Sequence, residues 1–370
     1  MRILLLLGAA LIALVFFLPG GVAAQEPEPE SDSEPDILVE RVIVADFPVA
    51  LAFAPDGRLF YTEKEGGRVR VVSPEGVLQP QPVISLPTDS YVERGMLGIA
   101  IDPDFETNHF IWVFHTQPNT IEPPLPINKI VRFTEVDGIG QDPVEMLSVP
   151  VTTREGFHMG GNLHFGPDGM LYVSIGDIGD EAAAQEIDAI TGRIHRFEVV
   201  GDMLVPAPGN PFDDNSTWAY GLRNPFDFDF DPVSGDIIAG ENGPTCDDEI
   251  NLIFPGGNYG WRPDYPCDDN APQDAARFVY PLVFYTPPEA ITGVLVYDGA
   301  MFPEWQNDVF FCGWNRGIMR RMTLDEDRAL VERITDVPLP NQTCSTDIEV
   351  APDGSIYFTN YNSIYRIIAR

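Results

Sequence analysis

Three groupings in this chain combine residue types that can do chemistry. In GFHMGGNLHFGPDG (Gly156 to Gly169), His158 stands just ahead of Gly160 and Gly161. An imidazole titrates ordinarily at about 6.5, so it can take up and return a proton at neutral pH. Glycines without a Cβ let a ligand approach the backbone closely. In ENGPTCDDEINLIFPGGNYGW (Glu241 to Trp261), Asp247, Asp248 and Glu249 form an acidic loop of the oxygen-donor kind that suits a hard cation. A solvated run of charge is the competing reading of that loop. YGLRNPFDF (Tyr220 to Phe228) and ERGMLGIA (Glu93 to Ala100) are likewise more polar and glycine-rich than turn-making requires. His164 alternates with Leu163 and Phe165, and His109, His115 and His195 lie in repeat strands, so these four read as structural. There is no HExxH pair, and the cysteines lack zinc-type spacing.

Such residues need a frame, and repetition supplies it. An alternating apolar strand, a Pro-Asp-Gly or similar turn, a second strand rich in aromatic and β-branched residues, and a third strand recur along the chain. The first three units are LAFAPDGRLFYTEKEGGRVRVV (Leu51 to Val72), GIAIDPDFETNHFIWVFHT (Gly98 to Thr116) and LHFGPDGMLYVSIGD (Leu163 to Asp177). The others are FDFDPVSGDIIAGENG (Phe228 to Gly243), YDGAMFPEWQNDVFFCG (Tyr297 to Gly313) and IEVAPDGSIYFTNYNSIYRI (Ile348 to Ile367). Asp-Gly turns tolerate positive φ, and period-2 alternation marks a half-buried strand, so each unit reads as a hairpin. Turns roughly 50 to 70 residues apart suit four-stranded blades stacked radially. The expected fold is all-β, a six-bladed β-propeller whose loops on one face converge on a central channel. Asp180 to Ile190 is expected to form a short surface helix.

Composition agrees with that frame. The 370 residues are 44% hydrophobic, enough for a sizeable core, and 33 Gly with 35 Pro imply many turns. Arg2, the apolar run Ile3 to Leu18, and Gly21-Val22-Ala23-Ala24 have the parts of a secretory signal peptide (1–24), with an uncleaved membrane anchor as the competing reading. Gln25 to Asp36 (QEPEPESDSEPD) has six acids and no base and is expected to be a disordered tether, leaving residues 37–370 for the propeller. The expected location is extracytoplasmic: secreted, periplasmic or at the cell surface, with no membrane span after cleavage. A formal net charge of −35 repels nucleic acid and anionic membranes. Four cysteines in an exported chain permit disulfides in three connectivities. Cys246 with Cys267 and Cys312 with Cys344 is favoured, since each pair closes a loop or staples neighbouring repeats.

The ordered motifs HxGGxLxFGPDG, GLRNP, DDEINLI and GGNYGW resemble those of the glucose and sorbosone dehydrogenase family, from about Val42 to the C-terminus. That family includes soluble quinoprotein glucose dehydrogenase and the aldose sugar dehydrogenases. The resemblance implies an oxidoreductase that converts the C1 hydroxyl of an aldose sugar to a lactone with pyrroloquinoline quinone (PQQ) and Ca²⁺, passing electrons to an external acceptor. It implies that His158 is the catalytic base and that Arg223 polarises the quinone oxygen, with Asn224 bonding the same region. A buried arginine bridging blades is the competing reading of Arg223. Glu93 and Tyr285 fall among the cofactor-binding positions, Glu93 facing the substrate and Tyr285 covering a ring face. The carbonyls of Gly243 and Pro244 would hold the cofactor's Ca²⁺, and Asp248 would help hold a structural one.

The last third departs from the family pattern. Two alternating arginines usually precede the final PDG strand and pair with the cofactor's carboxylates; here the stretch is Thr343-Cys344-Ser345-Thr346-Asp347. A lysine that glucose dehydrogenase-like members carry is Asn315 here. Each charged hydrogen bond lost at a desolvated site is worth about 1.5 to 3 kcal/mol, which puts PQQ in question. Arg316, Arg320 and Arg321 are the candidate replacements. One alternative is a non-catalytic propeller that binds a carbohydrate or protein. Another is a propeller lactonase, which would need several carboxylates in the channel.

Overall fold

The computed structural model describes residues 34–119, 125–267 and 277–370. The expected signal peptide, and the tether as far as Ser33, lie outside the described residues. Six antiparallel sheets form a six-bladed β-propeller. Blade 1 is Pro48–Phe53, Leu59–Glu63, Arg68–Val72 and Ile84–Ser85; blade 2 is Met96–Ile101, Phe110–Gln117, Ile127–Val136 and Ile139–Pro150. Blade 3 is Gly160–Phe165, Leu171–Ile175, Arg193–Val200 and Met203–Pro206, with Thr217–Tyr220 also paired to its third strand. Blade 4 is Pro225–Phe230, Ile237–Glu241, Asp248–Ile253 and Val283–Tyr285; blade 5 is Ile291–Val296, Val309–Gly313, Ile318–Leu324 and Val331–Asp336. Blade 6 is Ile348–Val350, Ile356–Asn360 and Ser363–Ala369, and the N-terminal strand Ile37–Val44 completes it by pairing with Ser363–Ala369.

The Pro-Asp-Gly turns do what their chemistry allows. Gly57, Gly169 and Gly354 sit at φ of 83°, 76° and 83°, and each closes its hairpin with an amide bonded back three residues, to Ala54, Gly166 and Ala351. The strands they join bury one apolar cluster between each pair of neighbouring blades, as between blades 1 and 2 (Phe60, Val69, Ile111, Val113) and between blades 6 and 1 (Leu51, Tyr61, Ile364). Six such interfaces close the ring, and the first strands of successive blades line its axis.

Both disulfides are Cys246–Cys267 and Cys312–Cys344. The second staples blade 5 to the segment that opens blade 6 across a separation of 32 residues. Constraint of a loop that long is worth about 3 to 4 kcal/mol. The Cys312→Ser/Cys344→Ser double variant is therefore expected to lose that much unfolding free energy, read as a lower urea midpoint at unchanged m, and an unchanged midpoint refutes the staple.

Two local expectations fail. Asp180 to Ile190 is not a helix; only Ala183–Gln185 makes a 3₁₀ turn. The buried Arg193 guanidinium takes the carbonyls of Ala183, Glu186, Ile187 and Thr191, and the backbone bonds there reach only three residues back (Glu186 to Ala183, Ala189 to Glu186), so the segment wraps the guanidinium in tight turns. His109 lies not in a strand but in a left-handed cap after the short helix Phe105–Asn108.

The channel also holds carboxylates that the repeats concealed. Asp227 and Asp229 of blade 4 accept the amides of Val294 and Val296 of blade 5, at 2.7 Å each, and Asp347 accepts that of Leu51 in blade 1 at 2.6 Å. They staple inner strands to one another. Among the described residues no group of three or more His, Cys, Asp or Glu is arranged to hold a metal ion, so these carboxylates lend the lactonase reading no metal centre.

Burial pushes Asp229 and Asp308 up to about 6 and Glu249 up to about 7, and raises Asp347 and Glu349 well above the carboxylate range. Burial lowers His115 to about 4 and His195 to about 3, which works the other way. A raised carboxyl contributes stability that is present below its unfolded value and lost as pH rises through its folded value. A depressed histidine loses stability as pH falls below about 6.5. These raised acids, with Glu241 and Asp248 beside them, outweigh the two histidines. The Tm is expected to be higher at pH 5.5 than at pH 8, by about 5 °C. A Tm that is flat or rising over that span in a calorimetric series refutes it.

Candidate active site

The inner strands of blades 1 to 5 all begin with a register shift, at Pro48/Leu51, Met96/Ile99, Gly160/Leu163, Pro225/Asp227 and Ile291/Gly293. Such irregularities kink a strand and re-aim its side chains. Close ahead of these strands, Phe47, Val92, His158 and Ala290 adopt left-handed backbone, with φ of 50°, 58°, 59° and 53°. That conformation is costly for residues with a Cβ and concentrates at functional sites. All four line one cavity of about 430 Å³ at the channel mouth, shared with Lys64, Glu93, Arg223, Asn224, Gly243, Pro244, Asp248 and Trp314.

His158 is held from three sides. Its Nδ1 lies 2.6 Å from Asp177 Oδ1, its amide donates to Glu93 Oε2 at 2.6 Å, and its carbonyl accepts the Ile178 amide at 3.2 Å. Asp177 is completely buried and accepts further bonds from the Gly179 amide (2.7 Å) and Trp261 Nε1 (2.8 Å). A carboxylate at Nδ1 places the ring proton there and leaves the Nε2 lone pair available. Nε2 is thus the ring nitrogen whose lone pair could accept a proton from a ligand.

Arg223 and Asn224 open blade 4 through a shared anchor: both amides donate to Glu241 Oε1, at 2.8 and 2.9 Å. Burial raises the Glu241 carboxyl well above its ordinary value. The Arg223 guanidinium stands over the Trp261 ring at 5.4 Å and donates to the carbonyls of Asn242 (2.9 Å) and Gly243 (2.7 Å). Asn224 accepts the Gly160 amide at 3.0 Å and donates to Glu93 Oε2 at 3.3 Å. Glu93 therefore ties the openings of blades 2, 3 and 4 together.

The structure gathers His158, Arg223, Asn224, Glu93, Gly243, Pro244 and Asp248 around this cavity. Tyr285 is a correction: it sits in the outermost strand of blade 4, with Arg320 4.8 Å above its ring and Phe311 beside it, and does not line the cavity. The aromatic wall is made instead by Phe47, Phe157 and Trp314, with Phe47 and Trp314 stacked at 5.8 Å. Asp248 is committed to backbone, its oxygens accepting the amides of Gly243 (2.8 Å) and Ala290 (2.5 Å). None of the candidate replacement arginines lines the cavity. Arg316 and Arg320 pair with Glu289, and Arg321 faces Asp308 at 3.4 Å.

Motif reading missed Asp177 bonded to the His158 ring, Gly176 packed against the His158 carbonyl, Trp261 bonded to Asp177, and Lys64 on the cavity wall. The signal for the first two is Gly-Asp directly after the second strand of the third unit. Trp261 ends the GGNYGW turn, whose architecture serves to aim an indole N–H at Asp177.

The profile of the family described as Glucose / Sorbosone dehydrogenase matches residues 45–368. A Synechocystis protein described as uncharacterized is 31% identical over 365 residues, which is 88% of this chain and 84% of its own length. The aldose sugar dehydrogenase of Escherichia coli is 25% identical over 334 residues, 84% of this chain and 86% of its own. The PQQ-bound aldose sugar dehydrogenase of Streptomyces coelicolor superposes with a TM-score of 0.74 over 91% of this chain and 100% of its own; at 23% identity this speaks for the fold. A profile match that spans all six blades, over a mouth where the motif residues converge, makes this chain a member of the glucose/sorbosone dehydrogenase family.

Proposed function

We propose that the chain is an exported oxidoreductase that oxidises the C1 hydroxyl of an aldose sugar to a lactone, with PQQ as its cofactor and an external electron acceptor. The observation that carries this reading is His158 pinned by buried Asp177 on the cavity wall. Nε2 would take the proton of the C1 hydroxyl, and Asp177 would hold the resulting imidazolium in place. A cavity of about 430 Å³ with an aromatic wall is of the size and character that enclose small molecules. When bound there, the quinone supplies a two-electron acceptor for the C1 hydrogen. Arg223 and Asn224 would hold it, Arg223 bringing a fixed positive charge to the side where negative charge develops. The disulfides support an oxidising compartment, and no helix among the described residues is long and apolar enough to cross a membrane.

Gly243, Pro244 and Asp248 line the cavity but supply fewer than the six or more oxygens that Ca²⁺ takes, so a bound Ca²⁺ would draw the rest from ligand and water. The Gly243 carbonyl faces Arg223, and both oxygens of Asp248 accept amides. No step is assigned to Ca²⁺. A binding-only propeller draws support from the missing arginines, and the His158–Asp177 pair weighs against it. Titration of the apo-protein with PQQ, with and without Ca²⁺, followed by dye reduction with a panel of aldoses, tests the reading. A spectral change at micromolar cofactor and sugar-dependent reduction are expected; absence of both overturns it.

A further inference from the structure

Most charge at the channel mouth is already committed. Arg223 serves two carbonyls, and Glu93 serves the His158 amide and the Asn224 side chain. Thr346, in the stretch where the family's arginines are missing, donates to the Pro48 carbonyl at 2.8 Å, and Asp347 beside it staples blade 6 to blade 1. Lys64 is different. It stands in the turn between the second and third strands of blade 1, is only 7% exposed, and lines the cavity. Its ammonium donates to the Ser90 carbonyl at 3.1 Å and lies 5.2 Å from the Phe47 ring centre. Among the described residues it has no ion pair, and the nearby Asp89 faces Arg94 instead. An ammonium has three donors, so two remain for a ligand.

The fold makes room for this side chain. A Cβ on Gly95 would stand 2.5 Å from Lys64 Cγ, so a glycine there leaves space for the lysine stem. The backbone is clamped as well: the Lys64 amide donates to Phe47 and its carbonyl accepts Met96, both at 3.1 Å, which ties it to the openings of blades 1 and 2. Blades 1 and 4 face each other across a six-bladed ring, so Lys64 and Arg223 stand on opposite walls. Burial lowers the proton affinity of Lys64, and a bound anion would restore it.

We propose that Lys64 is the anion-recognising cation of this cavity, pairing with a carboxylate of the bound ligand on the wall opposite Arg223, in place of the cations absent from residues 343–347. The ligand named rests on the PQQ reading above. Equilibrium binding of PQQ to the apo-protein, followed by calorimetry, tests it. Lys64→Met is expected to weaken the Kd by about 10- to 100-fold, and Lys64→Arg to stay within about threefold of wild type. The trimethyl ester of PQQ adds a second axis: wild type is expected to favour acid over ester about tenfold more than Lys64→Met does. If Lys64→Met loses its thermal transition, Lys64→Gln takes its place. A folded, uncharged variant that binds PQQ with wild-type affinity overturns the assignment and leaves the quinone reading intact. Failure of wild type itself to bind PQQ overturns both.

Discussion

His158→Ala is expected to lower kcat for sugar-dependent dye reduction by about 10³-fold while PQQ affinity stays within a few-fold. The asymmetry follows from geometry. The side chain offers the cavity Nε2 alone, since Nδ1 is taken by Asp177, and the amide that binds Glu93 survives truncation. Asp177→Asn is the companion variant. Its amide can donate to Nδ1, which moves the ring proton to Nε2 and removes the base, so a loss of about 10² to 10⁴ is expected with little change in KM. The two losses should not add, because both variants remove one unit. Trp261→Phe deletes the indole donor to Asp177, leaves a smaller ring beneath the Arg223 guanidinium, and should cost about tenfold. Retained activity in His158→Ala sinks the assignment of the base, and fully additive losses sink the coupling to Asp177.

The frame of this molecule is legible because it is written locally. A Pro-Asp-Gly turn needs only its own glycine at positive φ and two alternating flanks, and Gly57, Gly169 and Gly354 meet that condition within a few residues. Closure of blade 6 is not local: Ile37–Val44 carries no turn signal, and its partner lies more than 300 residues away. The site divides in the same manner. His158, Arg223, Asn224 and Glu93 announce themselves by type and glycine context. Asp177 follows the buried strand Leu171–Ile175 and looks like part of it, and its role is decided by Trp261 and Gly179 closing over it. Tyr285 shows the converse, since the family pattern points to the residue while the strand carrying it lies at the outer edge of its blade. Arg320 is drawn to Glu289, a partner 31 positions away that spacing does not reveal. Lys64 looks like an ordinary hairpin lysine until the openings of blades 1 and 2 fold it into the cavity wall.

Gly176→Ala is expected to lower kcat by at least about 10²-fold in a protein that still folds. A Cβ at this position would stand 2.1 Å from the His158 carbonyl oxygen, 2.6 Å from its carbonyl carbon and 3.1 Å from the Arg223 carbonyl oxygen. All three atoms are backbone, so no side chain can swing aside. The His158 carbonyl already accepts Ile178, and the Arg223 carbonyl accepts Asp177 at 2.7 Å, so relief must move the catalytic segments themselves. A displacement of about 1 Å at a reacting group can cost 10²-fold in rate. Overpacking of this kind also costs about 1 to 3 kcal/mol of stability. Gly209→Ala separates the two effects: Gly209 has φ of 81° with open space around it, so its variant carries backbone strain alone. A Gly209→Ala protein destabilised by about 1 to 2 kcal/mol should keep wild-type kcat per folded molecule. Equal kcat in Gly176→Ala and wild type would show that His158 is not positioned by this contact.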